Sequence, residues 1–184
     1  MSPSPAGRLA GTVRWAVVPY TPRPPFRLYA GERQEPVIVP DAQTLIASAQ
    51  RGGDAELTYL VPGKVRPVLI LDDPPAEHHQ EVAALRLLRL SRIDSRDQER
   101  VRAHREPLLF HLDPERFHLP EENAAIVSAL LRIYVDAIAG ESLGDLNPNE
   151  LRALGERIIR FYRFDTRNLV ERQICELAAR RRDR

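Results

Sequence analysis

One short apolar strand, bounded by a basic turn and two acidic residues, constrains the fold of this chain more than any other stretch. Val68–Leu71 holds four apolar residues in succession and follows Arg66-Pro67. A short apolar run between turn residues predicts a buried strand. Because proline has no N–H for a strand ladder, we expect Pro67 at the first residue of this strand and Arg66 at its mouth. Taken alone, an arginine in that position is most often a solvated flanking charge.

Several other segments show the two-residue alternation or the short apolar run that is typical of strands. In Gly11–Pro19 the side chains of Val13, Trp15 and Val17 alternate with more polar neighbours, and Pro19 ends the strand. Three further strands are predicted at Glu56–Val61, Glu81–Ile93 and Glu106–Leu112. Many short strands separated by turn signals indicate a mostly β fold with added helices, of the α+β class.

Helical signals are concentrated in the second half of the chain. Apolar residues recur at helical spacing in Ala124–Ala139, so the pattern alone slightly favours a helix there over a strand. Asn147-Pro148-Asn149-Glu150 combines an N-cap, a proline at the first helical position and a capping-box glutamate, which predicts an amphipathic helix to about Arg163. A terminal helix is predicted after Asp165, and the charged segment 95–105 fits either an exposed helix or a loop.

Composition narrows the classes of protein that this chain can belong to. The 184 residues include one cysteine, Cys175, so an internal disulfide is excluded and a reducing, cytoplasmic compartment is expected. No apolar run approaches the ~18 residues of a membrane span, and the first residues lack the apolar core of a signal peptide. The net charge of +1 is not that of a strongly basic nucleic-acid binder, although a local basic groove remains compatible with it.

Four stretches resemble landmarks of the MazF/PemK-type toxins, in the same order and over roughly residues 9 to 164. Gly11–Pro19 resembles their opening strand, and Gly63–Leu71 resembles their basic turn, Arg-Pro step and apolar strand. Leu87–Arg92 resembles the strand that ends in a serine or threonine, and Leu143–Leu151 resembles the turn before the last family helix. The Arg-Pro strand is the most specific of these pieces.

The resemblance implies a fold and a domain organisation. The family fold is a compact SH3-like barrel, here expected to have about five to seven strands, with a C-terminal helix. The additional terminal helix predicted after Asp165 lies outside the family pattern. Residues 1–8 would be a disordered lead, 9–164 the barrel domain with a long first-loop insertion at 26–54, and 165–184 a helical tail. The resemblance also favours a strand rather than a helix in Ala124–Ala139.

The resemblance implies an activity as well. Active family members are usually homodimers that cut single-stranded RNA without a metal or other cofactor, at short sequence motifs, and a cognate antitoxin protein holds them inactive. By this likeness Arg66 and Ser91 are the expected catalytic residues. Lys64, Arg89, Arg132 and Asp136 are the expected RNA-binding residues. Without the resemblance, Ser91 would be interpreted as a strand-end hydroxyl that bonds its own backbone.

A second hypothesis is a barrel that has lost catalysis and binds protein or RNA. The gyrase poison CcdB shares the family fold, and a fold does not fix its function. Here Arg89 replaces a proline that often precedes the family's serine or threonine, and the insertion 26–54 lies where the family's first loop covers the RNA groove. Both departures suit a binding module as well as an altered enzyme.

Overall fold

The computed structural model describes residues 8–21, 23–29, 37–52, 58–74 and 80–162. The backbone divides into two compact units, a smaller one of Trp15–Arg66 and a larger one of Met1–Arg14 with Pro67–Arg184. Most of the predicted lead and all of the predicted terminal helix after Asp165 lie outside the described residues.

In the described residues each of the three α-helices follows a run of three strands. In order the strands and helices are β1 (Thr12–Pro19), β2 (Phe26–Tyr29), β3 (Val37–Val39), α1 (Ala42–Gly52), β4 (Thr58–Tyr59), β5 (Gly63–Ile70), β6 (Glu81–Arg89), α2 (Ser95–Arg102), β7 (Leu109–Leu112), β8 (Asn123–Tyr134), β9 (Gly144–Asp145) and α3 (Pro148–Tyr162). Short 3₁₀ turns occupy Leu90–Arg92 and Val135–Ala137. This mixture of strands and helices confirms the predicted α+β class.

The strands form two sheets. The six-stranded sheet has the order β7-β8-β6-β5-β1-β9, and the three-stranded sheet has the order β3-β2-β4. In the larger sheet β6 pairs antiparallel with both β5 and β8, β7 pairs antiparallel with β8, and β9 pairs antiparallel with β1. The antiparallel strands β7, β8 and β6 are neighbours, so the residues at the start of β8 lie between the ends of β7 and β6.

Strand β8 corrects the local prediction of a helix at Ala124–Ala139 and agrees with the resemblance. It is paired on both sides, with β6 from Glu81↔Tyr134 to Arg89↔Asn123 and with β7 from Leu109↔Ile126 to Leu112↔Asn123. Ala124, Ala125 and Val127 are fully buried. The first part of β8 is buried on both faces and reads as a nearly continuous apolar run, in which helical spacing also occurs by chance.

The main core lies in the larger unit, between its sheet and α3. Phe117 and Leu154 are at its centre, 2% and 0% exposed. The other buried members are Val13, Leu69, Leu85, Phe110, Leu112, Leu119, Ala125, Val127 and Leu146. A smaller cluster of Leu90, Val101 and Ala124 packs α2 and the first 3₁₀ turn against β8.

Helix α3 begins with the predicted capping box. Asn147 Oδ1 accepts the backbone N–H groups of Asn149 and Glu150, both at 3.0 Å, and Glu150 Oε2 accepts the N–H of Asn147 at 2.8 Å. These bonds satisfy three backbone donors that a helix start leaves without partners. Arg116 also binds the carboxylate of Glu150 through both terminal nitrogens, which ties this helix start to the loop after β7.

The smaller unit contains the predicted insertion 26–54. Strand β2 pairs antiparallel with β3 and with β4. Strands β2 and β3 and helix α1 lie within this insertion. The insertion therefore carries its own secondary structure rather than a bare loop.

Two details of the sequence prediction differ from the structure. Pro67 lies inside β5 rather than at its first residue, and the ladder to β6 begins one residue later, at Val68↔Arg86, so the missing N–H falls outside that ladder. In β1 the exposed residues are Trp15, Val17 and Pro19, and Arg14 is buried. The Arg14 guanidinium donates to the carbonyls of Ala139 and Gly140, which compensates its burial.

Candidate functional site

Ser91 and Arg89 share one carboxylate. Ser91 Oγ donates a hydrogen bond to Glu121 Oε2 at 3.0 Å, and Arg89 Nε lies 2.9 Å from Glu121 Oε1. Arg89 is the last residue of β6, and Ser91 is the middle residue of the 3₁₀ turn that follows. Two predicted site residues thus point their donors at the same group of negative charge.

The position of Ser91 corrects the predicted strand Glu81–Ile93, which ends four residues early. Leu90 is buried in the small cluster with Val101, and its N–H donates to the carbonyl of Glu122. The N–H of Ile93 then donates to the Leu90 carbonyl and closes the 3₁₀ turn. Burial of Leu90 under α2 therefore turns the chain and presents Ser91 on the outside. Its hydroxyl binds a side chain of another segment, rather than its own backbone.

Lys64 and Arg66 meet at an aromatic ring in the smaller unit. Lys64 Nζ lies 5.9 Å and Arg66 Cζ 6.0 Å from the centroid of the Tyr20 ring. Both distances fall at the limit of a cation–π contact, which favours a cation over the ring face. Tyr20 was not predicted as a site residue, although an aromatic that follows Pro19 directly could have suggested it.

Arg132 and Asp136 lie elsewhere in the larger unit. Arg132 is on β8, and its Nη1 is 3.9 Å from Asp72 Oδ2, while Asp136 is exposed in the second 3₁₀ turn. Among the described residues neither one bonds to Arg89 or Ser91. The structure therefore brings Arg89 together with Ser91, and Lys64 together with Arg66, whereas Arg132 and Asp136 join neither pair.

A second cluster, next to the first, was missed in the sequence. Glu122 accepts two hydrogen bonds from Arg102, at 2.8 and 2.7 Å, and its Oε1 lies 2.7 Å from His111 Nε2. The hydrogen bond from Arg102 is the main cause that lowers the pKa of the Glu122 carboxyl to about 2, with a further contribution from His111. Glu122 is thus a fixed anion that joins α2 and β7 at the start of β8.

His104 and Arg157 complete the surroundings of this cluster. The ring of His104 lies edge-on to that of His111, with centroids 6.2 Å apart. Burial lowers the pKa of His104, and the positive charge of Arg157 acts in the same direction. Arg157 donates to the backbone carbonyls of His104, Glu106 and Leu109, so it holds the turn between α2 and β7.

The depressed pKa of Glu122 predicts a loss of stability in acid. An ordinary glutamate titrates at 4.5, and the folded-state pKa of Glu122 is about 2. The stabilisation, on the order of 2 kcal/mol, is therefore fully present above pH 4.5 and is lost as the pH falls towards 2. Urea unfolding between pH 2 and 7 should show Glu122→Gln to have a flatter profile than the wild type over this window. Equal dependence of the unfolding free energy on pH in the wild type and Glu122→Gln would contradict the assignment. Glu141→Gln, at an exposed position, is the control.

Two kinds of feature are absent from the described ranges. No group of three or more histidine, cysteine, aspartate or glutamate side chains gathers there as a metal site. No helix in the described part of the chain combines the length and the apolar character needed to cross a bilayer.

Comparison with known proteins leaves the family of this chain open. No family model matches the chain, and no curated protein matches it either. The likeness to the MazF/PemK-type toxins is therefore a resemblance carried by the four stretches described above.

Proposed function

We propose that this protein is a metal-independent endoribonuclease of the MazF/PemK type, built on an SH3-like barrel, that cleaves single-stranded RNA at a short motif. The resemblance of residues 9 to 164 to that family supports the proposal. The observation that carries it is the convergence of Ser91 Oγ and Arg89 Nε on one carboxylate, at 3.0 and 2.9 Å. Donors arranged to hold a carboxylate are also arranged to hold a phosphate, because both groups accept such bonds through paired oxygens.

The chemistry that these residues suit is attack by the ribose 2′-hydroxyl on the adjacent phosphate. The O2′–P bond forms while the P–O5′ bond breaks, a proton leaves the 2′-oxygen and one is taken up by the 5′-oxygen. Negative charge on the phosphate oxygens is stabilised by preorganised donors. Ser91 would donate one such bond, and Arg89 would bind the RNA backbone. DNA would be spared because it lacks the 2′-hydroxyl.

Arg66 is assigned its role by the resemblance, as an electrostatic clamp on phosphate. Its guanidinium keeps its charge at any physiological pH and is a poor proton shuttle, so stabilisation of charge suits it better than acid–base catalysis. Lys64, on the same strand, would add positive charge along the RNA backbone. Arg132 and Asp136 would contact RNA away from Ser91.

The proposal extends to partners and location. We infer a cytoplasmic homodimer that is neutralised by a cognate antitoxin. An acidic segment of the antitoxin, extended or helical, would compete with RNA for the same basic groups. The insertion 26–54 would then modify RNA selection, because the family's first loop covers the RNA groove.

A binding module without catalysis is the second candidate. It is favoured by one observation, the engagement of both Ser91 and Arg89 by Glu121. A hydroxyl and a guanidinium that serve only to anchor the loop at Glu121 would make these same two contacts. In that case the barrel would bind protein or RNA without cleaving it.

Incubation of a long single-stranded RNA with the purified protein in EDTA separates the two candidates. The endoribonuclease should produce cuts at a repeated short motif, with 5′-hydroxyl ends on the downstream products, and should leave DNA of the same sequence intact. Uncut RNA at high concentrations of folded protein would contradict the enzyme and leave the binding module.

A further inference from the structure

The carboxylate of Glu121 is held by Ser91 Oγ and Arg89 Nε. We propose that Arg89 and Ser91 form a seat for an RNA backbone phosphate, and that Glu121 occupies this seat in the free protein and must leave before RNA binds. This inference rests on the proposed function in naming RNA as the ligand. It adds that the site has a built-in competitor, a side chain of the same chain.

The contacts of Glu121 match those expected of a bound phosphate. Its two carboxylate oxygens are held by two different donors, Oε2 by Ser91 and Oε1 by Arg89. A phosphate offers the same pattern of adjacent acceptor oxygens and carries at least as much negative charge. The donors therefore need no rearrangement when one anion replaces the other.

Exposure makes the exchange feasible. The side chain of Arg89 is 57% exposed and that of Glu121 33%. Ion pairs in such solvated positions are weak, and many contribute little that can be measured. Glu121 can thus swing into water at small cost, and a phosphate can enter from solvent.

The backbone around Glu121 is fixed, so only the side chain has to move. The carbonyl of Glu121 accepts a hydrogen bond from Asn123 Nδ2 at 2.7 Å, and the carbonyl of Glu122 accepts one from Leu90 N at 2.9 Å. The neighbouring Glu122 carboxylate is bound by Arg102 and His111. Of two consecutive glutamates, one is locked into the fold and the other is releasable.

Removing the competitor should strengthen anion binding. Because an exposed ion pair is weak, removing Glu121 as a competitor for the two donors should raise the affinity for an anion by about fivefold at most. Glu121→Gln keeps the shape of the side chain and removes its charge. Glu141→Gln is the matched control, because Glu141 is exposed and the change in net charge is identical.

Titration with inorganic phosphate, followed by NMR through the backbone amides of residues 89–92, tests the seat without any RNA. Glu121→Gln should bind phosphate about two- to fivefold more tightly than the wild type. Glu141→Gln should match the wild type, and Glu121→Gln with Ser91→Ala should lose the gain. Equal phosphate affinities of Glu121→Gln and Glu141→Gln would contradict the proposed seat. A gain in affinity from Glu121→Gln that persists when Ser91→Ala is added would contradict it as well.

A second titration, with a short single-stranded RNA and fluorescence anisotropy in EDTA, tests the ligand. The same order of affinities is expected. If phosphate follows that order and RNA does not, the assignment to an RNA backbone is overturned while the seat stands. Neither titration needs strand cleavage. If the variants bind RNA in the expected order of affinities but the RNA stays intact, the result would contradict the proposed enzyme and support the seat.

Discussion

Replacement of Gly144 by alanine should lower the free energy of unfolding by about 1–3 kcal/mol or more, because the new methyl group would enter occupied space. A Cβ at this position would lie 2.8 Å from the Arg116 carbonyl oxygen, 2.8 Å from Phe117 Cδ1 and 2.9 Å from Phe117 Cα. Two of these atoms belong to backbone, and the third belongs to a ring that is 2% exposed. None is the free end of a flexible side chain.

The backbone of Gly144 cannot easily retreat from this clash. Gly144 pairs with Val13 in the sheet, and its N–H group lies 3.2 Å from Ser142 Oγ. A shift of β9 would therefore break contacts with β1. Thermal unfolding should show a fall in Tm of roughly 2–4 °C for each kcal/mol lost, as expected for a chain of this size.

Gly155 provides the matched control for this substitution. It lies inside α3, and a Cβ there would meet nothing within 4 Å. Glycine in a helix interior costs roughly 0.5–1 kcal/mol relative to alanine, so Gly155→Ala should stabilise the protein by about that amount. Equal effects of the two variants, or a neutral Gly144→Ala, would contradict the packing described for β9.

Loss of Arg66 or of Ser91 should lower the rate of RNA cleavage by about 10²–10³ each. By the resemblance, each side chain is proposed to stabilise negative charge that develops during cleavage, so the loss should fall mainly on kcat. Neither Arg66→Ala nor Ser91→Ala removes a core contact, and unfolding by urea should change little. Single-turnover cleavage of a short RNA that carries the mapped motif, with EDTA present, measures the effect.

Exposed residues of the same types serve as controls for these two variants. Arg160 is exposed on α3 and Ser128 on β8, and neither is assigned a role in the site. Arg160→Ala and Ser128→Ala should keep the rate within a few-fold of the wild type. A comparable loss in the controls would point to net charge or folding, and normal rates for Arg66→Ala and Ser91→Ala would remove both from catalysis.

Local signals predicted the elements whose chemistry is contained in a few neighbouring residues. The start of α3 is an example, because Asn147, Pro148 and Glu150 satisfy the helix start among themselves. Strand β8 is the opposite case. Its conformation depends on pairing with β6 and β7, which are distant in sequence, and only the family resemblance indicated it.

In the candidate site, the donors were proposed from the sequence, whereas their acceptors were not. Arg89 ends an apolar strand and Ser91 follows it, and both were proposed as site residues from the resemblance. Glu121 lies 30 residues beyond Ser91 in the chain, and no local pattern links the two. The partners of Glu122 are similarly distant, 20 residues away for Arg102 and 11 for His111. Such pairings follow from strand order, which the sequence alone does not reveal.

Cleavage of one RNA oligonucleotide with and without a 2′-hydroxyl at the mapped site tests the proposed chemistry most directly. In EDTA, the wild-type protein should cut the all-ribose strand and leave the strand with a single 2′-deoxy substitution at that nucleotide intact, because the nucleophile is missing. The uncut fraction should be quantified for both strands under single-turnover conditions. Equal cutting of the two strands, or no cutting of either by the folded protein, would contradict a ribonuclease that works through the 2′-hydroxyl.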